Sequence, residues 1–164
     1  METFIPEAVI KAQTQEATKE LHVAKAIILN DKGELLLVER GPSQKFDQYK
    51  YELPGGKIDP GETPDEALLR EVLEETGLDV TLPDQLEMED HRIMEGGTYD
   101  GVDAVTHLKV AMANTDEVDL PALENPEHIS VRWVNKEELQ EMIDNGEVSK
   151  TVMQALQQRL LSDN

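Results

Sequence analysis

The 164-residue chain has no cysteine and no long apolar run. Without cysteine it can form no disulfide, no thiolate nucleophile and no zinc–thiolate site. No segment is long and apolar enough to span a bilayer, and the acidic N-terminus does not resemble a secretory signal. We therefore expect a cytoplasmic protein that does not act at a membrane.

Basic residues are also scarce, since 15 lysines and arginines face 35 aspartates and glutamates and give a formal net charge of −20. Such a charge opposes nonspecific binding to nucleic acid, so we expect no long nucleic acid as a partner. It would also repel a small phosphate-bearing substrate. A bound divalent cation could supply the missing positive charge locally.

The length fits a single domain with a proper core. We expect residues 1–20 to form an N-terminal extension that either joins the fold or contacts a second copy, and residues 21–164 to form the main domain. The chain shows no internal repeat or low-complexity segment. Both a monomer and a homodimer are compatible with this organisation.

Strand-like and helix-like segments alternate along the chain, which predicts an α/β fold with a mixed sheet covered by helices on both faces. The predicted strands are His22–Leu29, Glu34–Glu39, Tyr49–Leu53, Gln85–Met94, Val102–Met112 and His128–Val134. Two helices are predicted after the last strand, over Asn135–Asn145 and about Ser149–Leu161. The acidic, proline-containing segment Asn114–Glu127 is predicted to be a long loop, and long loops in compact domains are often functional.

A further helix is predicted within residues 56–78. Thr63 stands at an N-cap position with Glu66 three residues later, which is a capping box. Pro64 occupies the first helical position, where its missing N–H is harmless. Gly77 is placed to end the helix.

This helix carries three glutamates, Glu71, Glu74 and Glu75, at spacings that place them on one face. Like charges at these spacings repel, and they also crowd the C-terminal half, where the helix dipole disfavours anions. A hard divalent cation with oxygen ligands would turn this repulsion into a binding site, whereas the alternative is a solvated acidic face. A stripe on the other side is predicted to pack on the sheet, and its residues are Leu68, Leu69, Val72 and Leu73.

The same segment matches a spaced motif: Gly, five residues, Glu, seven residues, Arg-Glu-apolar, one residue, Glu-Glu, one residue and Gly-apolar. The matching residues are Gly56, Glu62, Arg70, Glu71, Val72, Glu74, Glu75, Gly77 and Leu78. The segment resembles the complete Nudix box of the Nudix hydrolases, which cleave diphosphate linkages using a divalent metal. The resemblance extends from about His22 to Leu161 and implies an α/β/α sandwich, although only the box is sharply specific.

The resemblance implies roles for individual residues. Glu74 and Glu75 correspond to the principal metal ligands, and Glu71 to a residue that binds metal or acts as the base. The backbone carbonyl of Gly55 corresponds to a further metal ligand. The implied cofactor is Mg²⁺, with Mn²⁺ as a substitute.

Other positions of the box have supporting roles in the family. Arg70 resembles an arginine that orients a neighbouring carboxylate, and its alternative is an ordinary i, i+4 pair with Glu74. Glu62 resembles a glutamate that supports the site. Gly56 would let the backbone of the loop come close to the site, because glycine accepts backbone angles that other residues avoid. Its alternative is a plain turn.

Two basic residues are candidates for substrate contacts. Arg40 ends the second strand, where MutT-type enzymes carry an arginine that contacts phosphates, and its alternative is a surface arginine. Lys57 would contact phosphate or only solvent. Trp133 is predicted to be a core residue, and none of the four histidines has the spacing of a metal ligand.

The general base is left open between Glu71 and an acidic residue of the long loop. Glu127 directly precedes the His128–Val134 strand, in a segment that resembles the family region supplying an extra carboxylate ligand. A solvated loop acid is its alternative. Weaker candidates are Glu124, Glu95 and Asp103.

The stretch Lys50–Asp59 is close to the MutT-type pattern. Enzymes of that type hydrolyse nucleoside triphosphates, including 8-oxo-dGTP, to a monophosphate and pyrophosphate. The proline of ADP-ribose pyrophosphatases is absent near Met94, and the tyrosine of dinucleoside polyphosphate hydrolases is absent from Met94 to Gly96. The alternatives are a pyrophosphatase for ADP-ribose or another nucleoside diphosphate-sugar, which a swapped dimer through the first 20 residues would favour, and a non-catalytic Nudix nucleotide-binding module.

Overall fold

The computed structural model of the protein describes residues 20–44, 47–82, 88–95, 99–113 and 128–149, together with Met153. The loop Asn114–Glu127, nearly all of the helix predicted over Ser149–Leu161, and the N-terminal extension except Glu20, which begins the first strand, lie outside the described residues. The predictions for these three segments, including Glu127 and Glu124, therefore stay predictions.

The described residues form strands and two helices in a mixed order along the chain. In chain order they are β1 (Glu20–Leu29), β2 (Leu35–Arg40), β3 (Tyr51–Glu52), β4 (Gly55–Lys57), α1 (Pro64–Thr76), β5 (Val80–Thr81), β6 (Met88–Ile93), β7 (Asp103–Ala113), β8 (His128–Val134) and α2 (Lys136–Asp144). None of the helices formed by the described residues has both the length and the apolarity needed to cross a membrane.

All eight of these strands belong to one mixed sheet, whose main path runs β3-β2-β1-β7-β5. The central strands β1 and β7 are parallel, in register from Glu20 opposite Asp103 to Leu29 opposite Met112. The other pairings are antiparallel, with β8 on β2, β4 on β1 and β6 on β7. The predicted mixed sheet is thus confirmed.

Among the described residues, α1 packs on one face of the sheet and α2 on the other, and alternate side chains of a strand point to these opposite faces. On β1, Ala24, Ala26 and Ile28 pack with α1, whereas Ile27 packs with α2. Half-buried Trp133 packs against the core on the α1 side, where it was predicted to be a core residue. The layers are helix, sheet and helix, as the α/β/α prediction requires.

Helix α1 begins and ends at the predicted residues. The Thr63 side chain accepts a hydrogen bond from the Glu66 backbone N–H, and the Glu66 side chain accepts one from Thr63 N–H, both at 3.1 Å. Gly77 is the C-cap in the left-handed conformation. These caps depend only on contacts between residues three or four positions apart in the chain, which is why they can be predicted from the sequence.

The predicted apolar stripe of α1 is wrong in part. Leu68 and Val72 are buried as expected, but Leu69 and Leu73 are 41% and 55% exposed. Glu75 is buried instead, along with Ala67 and Thr76. The helix is rotated so that its buried face runs through Ala67, Leu68, Val72 and Glu75, which brings one box carboxylate against the sheet.

The strand predicted over Tyr49–Leu53 is also too long. Tyr49 has φ 65°, in the left-handed region, so an extended strand cannot include it. The structure adds β4, which begins at Gly55 with φ 135°. A Cβ on Gly55 would lie 2.0 Å from the Ala24 carbonyl oxygen, so only glycine lets β4 approach β1 here.

Candidate active site

Arg70 is the centre of the ion pairs of the box. It grips Glu62 with two hydrogen bonds, from Nε to Oε2 at 2.8 Å and from Nη2 to Oε1 at 2.9 Å. Its Nη1 donates to Glu71 Oε1 at 2.9 Å, whereas Glu74 Oε2 is 3.5 Å away. The i, i+4 pair with Glu74 is therefore the weakest of these contacts, and the guanidinium mainly orients Glu62 and Glu71.

The same guanidinium ties the box loop to the helix. Its Nη2 donates to the Lys57 carbonyl at 3.3 Å, and Glu62 Oε1 accepts from the Asp59 backbone N–H at 2.9 Å. The hydrogen bond from Arg70 is the main cause that lowers the pKa of Glu62 to about 2, and the same bond raises the pKa of Arg70. Charge-assisted hydrogen bonds thus hold the loop on the helix, in addition to the packing of Ile58 against the core.

Gly56 provides the space in which the Glu71 carboxylate lies. A Cβ at this position would be 2.6 Å from Glu71 Cδ and 2.7 Å from its Oε1. Any larger residue must therefore displace the carboxylate that Arg70 holds. Of the two roles considered for Gly56, close approach has a direct steric reason in the structure.

We expect Gly56→Ala to fold but to lose activity. The atoms in its way belong to the end of a flexible side chain, so Glu71 can swing aside without moving the backbone. A displacement of about 1 Å at a reacting group costs on the order of 10²-fold in rate. Steady-state kinetics and a thermal unfolding curve would test this together.

A double variant provides the control for that prediction. If Gly56→Ala acts through Glu71, it should have little further effect on turnover in a Glu71→Ala background. An undiminished further loss in the double variant would show that the alanine acts on the loop itself.

Glu75 is more deeply buried than the other two box glutamates. It is 8% exposed, whereas Glu71 is half-buried and Glu74 is exposed, so the three stand at the expected helical spacings on α1 but differ in their exposure to solvent. Glu75 Oε2 accepts from the Gly55 backbone N–H at 3.0 Å, and Oε1 lies 3.7 Å from His128 Nδ1. Burial raises the pKa of this carboxyl to about 7, against the opposing effects of His128 and Lys25.

The donor chemistry of the site fits a hard divalent cation. Three carboxylates and the Gly55 carbonyl are oxygen ligands, and a buried carboxylate with a raised pKa would gain most from a cation beside it. In the part of the chain that the structure describes, no three acidic or histidine side chains already converge on a metal-sized position. Glu71 is turned to Arg70 and Glu75 to Gly55 N–H, so these carboxylates would have to reorient to share a cation.

A buried group of charged side chains that the sequence did not predict lies beneath these ligands. Glu52 accepts from Arg40 Nη1 at 2.7 Å and from His128 Nε2 at 2.9 Å, and Lys25 Nζ is 3.6 Å from its Oε1. Burial by itself would raise the pKa of Glu52. Lys25, the hydrogen bond from His128, and Arg40 outweigh burial and lower that pKa to about 2.

Lys25 connects this group to the candidate metal ligands. Its ammonium donates to the carbonyls of Leu53 at 3.3 Å and of Gly55 at 3.2 Å. The Gly55 carbonyl is the predicted metal ligand, and a carbonyl oxygen has two lone pairs, so it can accept from Lys25 and still face a cation. A signal was present in the sequence, since Lys25 interrupts the apolar run of β1 and charged residues are rarely buried unless paired.

The predicted substrate residues have defined partners. Arg40 is not a surface arginine, because its side chain is 16% exposed and also donates to Gln44 Oε1 at 2.9 Å. Lys57 Nζ donates to the Tyr99 hydroxyl at 2.6 Å and lies 5.0 Å from the centre of that ring. Whether either residue contacts phosphate remains a prediction.

The candidates for an additional base lie in different parts of the sequence. Glu127 and Glu124 lie outside the described residues, and Glu127 directly precedes β8 in the sequence. Glu95 is exposed, and Asp103 accepts a hydrogen bond from His91 on the neighbouring strand at 3.0 Å if Nδ1 carries the proton.

Comparison with known proteins agrees with this geometry. The model of the family described as "NUDIX domain" matches residues 20–156, which is most of the chain. An 8-oxo-dGTP diphosphatase of Haemophilus influenzae is 48% identical over 60 residues, or 37% of this chain and 43% of that protein. An RNA pyrophosphohydrolase of Erythrobacter litoralis is 28% identical over 131 residues, or 73% of this chain and 79% of that protein. The matches to four 8-oxo-dGTP diphosphatases, one of them putative, span only 36% to 55% of those proteins.

Solved structures show the same fold. The crystal structure of the MutT protein from Methanosarcina mazei Go1 is 29% identical, with a TM-score of 0.62 over 75% of this chain and 82% of that one. A NUDIX hydrolase from Nitrosomonas europaea has a TM-score of 0.68 over 89% of this chain and 92% of that one, and at 23% identity it supports the fold alone. The family model, the box geometry and the shared fold together show that this chain belongs to the Nudix family.

Proposed function

We propose that this protein is a magnesium-dependent hydrolase that cleaves a diphosphate linkage of a nucleoside triphosphate and releases a nucleoside monophosphate and pyrophosphate. The observation that carries the proposal is the Arg70 arrangement, in which one guanidinium holds Glu62 and Glu71 beside the buried carboxylate of Glu75. A solvated acidic face would need neither the two hydrogen bonds that Arg70 donates to Glu62 nor a buried glutamate.

Glu71, Glu74, Glu75 and the Gly55 carbonyl would hold Mg²⁺, or Mn²⁺ in its place. When bound, the metal lowers the pKa of water, neutralises phosphate oxygens and steadies the leaving group. Arg70 keeps the Glu71 carboxylate at the box loop through the bond from Nη1.

The phosphates of the substrate would lie between the metal ligands and the two basic residues, Arg40 and Lys57. A guanidinium that is already oriented by Glu52 and Gln44 loses little freedom when it binds a phosphate. Positive charge at this position also offsets the repulsion expected from a chain of net charge −20.

The general base is proposed to be either Glu71 or Glu127. Arg70 holds the Glu71 carboxylate in position. The same ion pair also lowers the basicity of that carboxylate, because its negative charge is paired with the guanidinium. Glu127 precedes β8, whose first residue, His128, contacts Glu75. Comparing the pH–rate profiles of Glu71→Gln and Glu127→Gln would separate them, because loss of the base removes its own protonation step from the acidic limb, whereas the step due to Glu75 would remain.

The substrate class is proposed from similarity rather than from pocket contacts. Matches over 60 residues to proteins named 8-oxo-dGTP diphosphatase favour a MutT-like activity on nucleoside triphosphates that include 8-oxo-dGTP. The similarity to an RNA pyrophosphohydrolase covers more of the chain at lower identity, and the strongly acidic charge disfavours a long RNA. The main alternative is a pyrophosphatase for ADP-ribose or another nucleoside diphosphate-sugar.

A panel assay tests the proposal. The purified chain would be incubated with Mg²⁺ and with ordinary and 8-oxo nucleoside triphosphates, ADP-ribose, other nucleotide sugars and diadenosine polyphosphates, and the products would be resolved. We expect metal-dependent release of pyrophosphate and a monophosphate from triphosphates. Activity confined to ADP-ribose or another nucleotide sugar would overturn the substrate class, and binding without turnover of any compound would favour a non-catalytic module.

A further inference from the structure

His128 lies where the two halves of the candidate site meet. The pairing of β8 with β2 runs regularly from Val134 opposite Leu35 to Ser130 opposite Glu39, and then shifts by one residue. Because of this shift His128, rather than Ile129, stands opposite Arg40. Such bulges re-aim side chains and often occur beside active sites. Here the side chain that is turned inward is an imidazole.

The imidazole faces a carboxylate on each side. Its Nε2 is 2.9 Å from Glu52 Oε1, while the other oxygen of Glu52 accepts from Arg40 at 2.7 Å. An ionised carboxylate can only accept, and the pKa of Glu52 is lowered to about 2, so Nε2 is the donor. On the opposite edge, Nδ1 is 3.7 Å from Glu75 Oε1, which is too long for a hydrogen bond, and the pair is an ion pair only when Nδ1 also carries a proton.

This chain of contacts is shielded from water. The side chains of Glu52, Glu75 and His128 are each less than a tenth exposed. In such surroundings electrostatic contacts are stronger than in water, and displacing one member shifts the others. Arg40 and Glu75 belong to different elements, β2 and α1, and His128 with Glu52 spans the gap between them.

We propose that His128 is a positioning residue that fixes the side chains of Arg40, which would bind phosphate, and Glu75, which would bind metal, relative to each other. It acts on Arg40 through Glu52 and on Glu75 directly, and it does not itself touch the substrate or the reacting atoms. The inference rests on the proposed function, because it needs Glu75 to bind metal and Arg40 to bind phosphate. Residues that orient metal ligands typically contribute 10- to 100-fold to metal affinity or activity.

The two ring nitrogens allow the two contacts to be tested separately. In His128→Asn the amide nitrogen can stand near the place of Nδ1, towards Glu75. In His128→Gln it can stand near the place of Nε2, towards Glu52. His128→Ala removes both contacts. His91→Gln is the matched control, because His91 is an exposed histidine on β6 outside the site.

Two quantities would be measured for each variant, after thermal unfolding has shown that it is folded. The first is Mn²⁺ affinity of the substrate-free protein, by electron paramagnetic resonance. The second is KM and kcat, at saturating Mg²⁺, for the panel substrate with the highest rate. We expect His128→Ala to weaken Mn²⁺ binding about tenfold and to raise KM about tenfold. His128→Asn should recover mainly the Mn²⁺ affinity, His128→Gln mainly KM, and His91→Gln should match the unsubstituted chain.

The outcomes separate this inference from the proposed function. If the unsubstituted chain binds Mn²⁺ and turns over a panel substrate while His128→Ala keeps Mn²⁺ affinity and KM within twofold, the inference alone is overturned. A fall in unfolding temperature with unchanged Mn²⁺ affinity and KM would also overturn it, since His128 would then be only a structural residue. Absence of both Mn²⁺ binding and turnover in the unsubstituted chain would overturn the proposed function and this inference with it.

Discussion

Glu75→Gln should abolish turnover while making the metal-free protein more stable. The amide keeps the shape and can still accept the hydrogen bond from Gly55 N–H, but it removes the charge that would hold a cation. Loss of a metal ligand forfeits several kcal/mol of transition-state stabilisation, which corresponds to roughly a 10³-fold fall in kcat. The panel substrate with the highest rate would serve for the kinetic measurement.

The gain in stability follows from burial of the carboxylate. Burial raises the pKa of Glu75 from 4.5 to about 7, so the folded state disfavours the ionised form. The penalty is absent below pH 4.5, grows as the pH rises to about 7 and is complete above it. At pH 8 with EDTA, Glu75→Gln should therefore raise the free energy of unfolding by about 1–3 kcal/mol.

Two variants serve as controls for Glu75→Gln. Glu74→Gln should also lower turnover but leave stability unchanged, because Glu74 is exposed. Glu141→Gln, at an exposed position of α2, should change neither quantity. Turnover of Glu75→Gln within twofold of the unsubstituted chain would remove Glu75 from the metal site.

Glu52→Gln should produce the largest loss of stability. The substitution leaves Arg40 and Lys25 without the buried carboxylate that they share. Breaking a buried ion pair by removing one partner typically costs about 3–5 kcal/mol. Urea unfolding at pH 7, followed by the fluorescence of Trp133, would measure the difference. Glu39→Gln, one residue before Arg40 on β2, is a half-buried control expected to cost no more than about 1 kcal/mol.

The pH dependence identifies the charge of Glu52 as the cause. Its pKa is about 2 in the folded state and 4.5 in the reference state, so its stabilisation is complete above pH 4.5 and is lost as the pH falls towards 2. The difference in the free energy of unfolding between the unsubstituted chain and Glu52→Gln should therefore become smaller as the pH falls from 4.5 towards 2. Replacing Lys25 by methionine in the same variant should recover part of the loss, since it removes one unpaired charge. A difference that stays constant down to pH 3 would contradict this explanation.

Helix α1 shows which features can be predicted from local chemistry. Thr63, Glu66 and Gly77 cap the helix through contacts that span three or four residues, and all three were predicted. The exposure of Leu69 and Leu73 was not predicted, because the rotation of a helix about its axis depends on the sheet against which the helix packs. That rotation also decides that Glu75 is buried while Glu74 is exposed.

The strands divide in the same way. The bounds of β8 were predicted to the residue, because its apolar and polar residues lie between clear turn and cap signals. The bulge between β2 and β8, which turns His128 inward, depends on the pairing of segments about 90 residues apart in the chain. His128 does not stand at a metal-ligand spacing from another histidine, so the sequence offered no reason to select it. Its contact with Glu52 exists only in the folded sheet.

The sequence by itself determined the family, the box helix with its caps, and the identity of the carboxylates and the arginine, because these depend on residue type and short spacing. Tertiary structure alone decided how deeply each carboxylate is buried and which charges meet. It brought Lys25, Arg40, Glu52, Glu75 and His128 from separate elements into one buried group. The physical reason is that burial and electrostatic coupling depend on distances between side chains that are far apart in the chain, and only packing sets those distances.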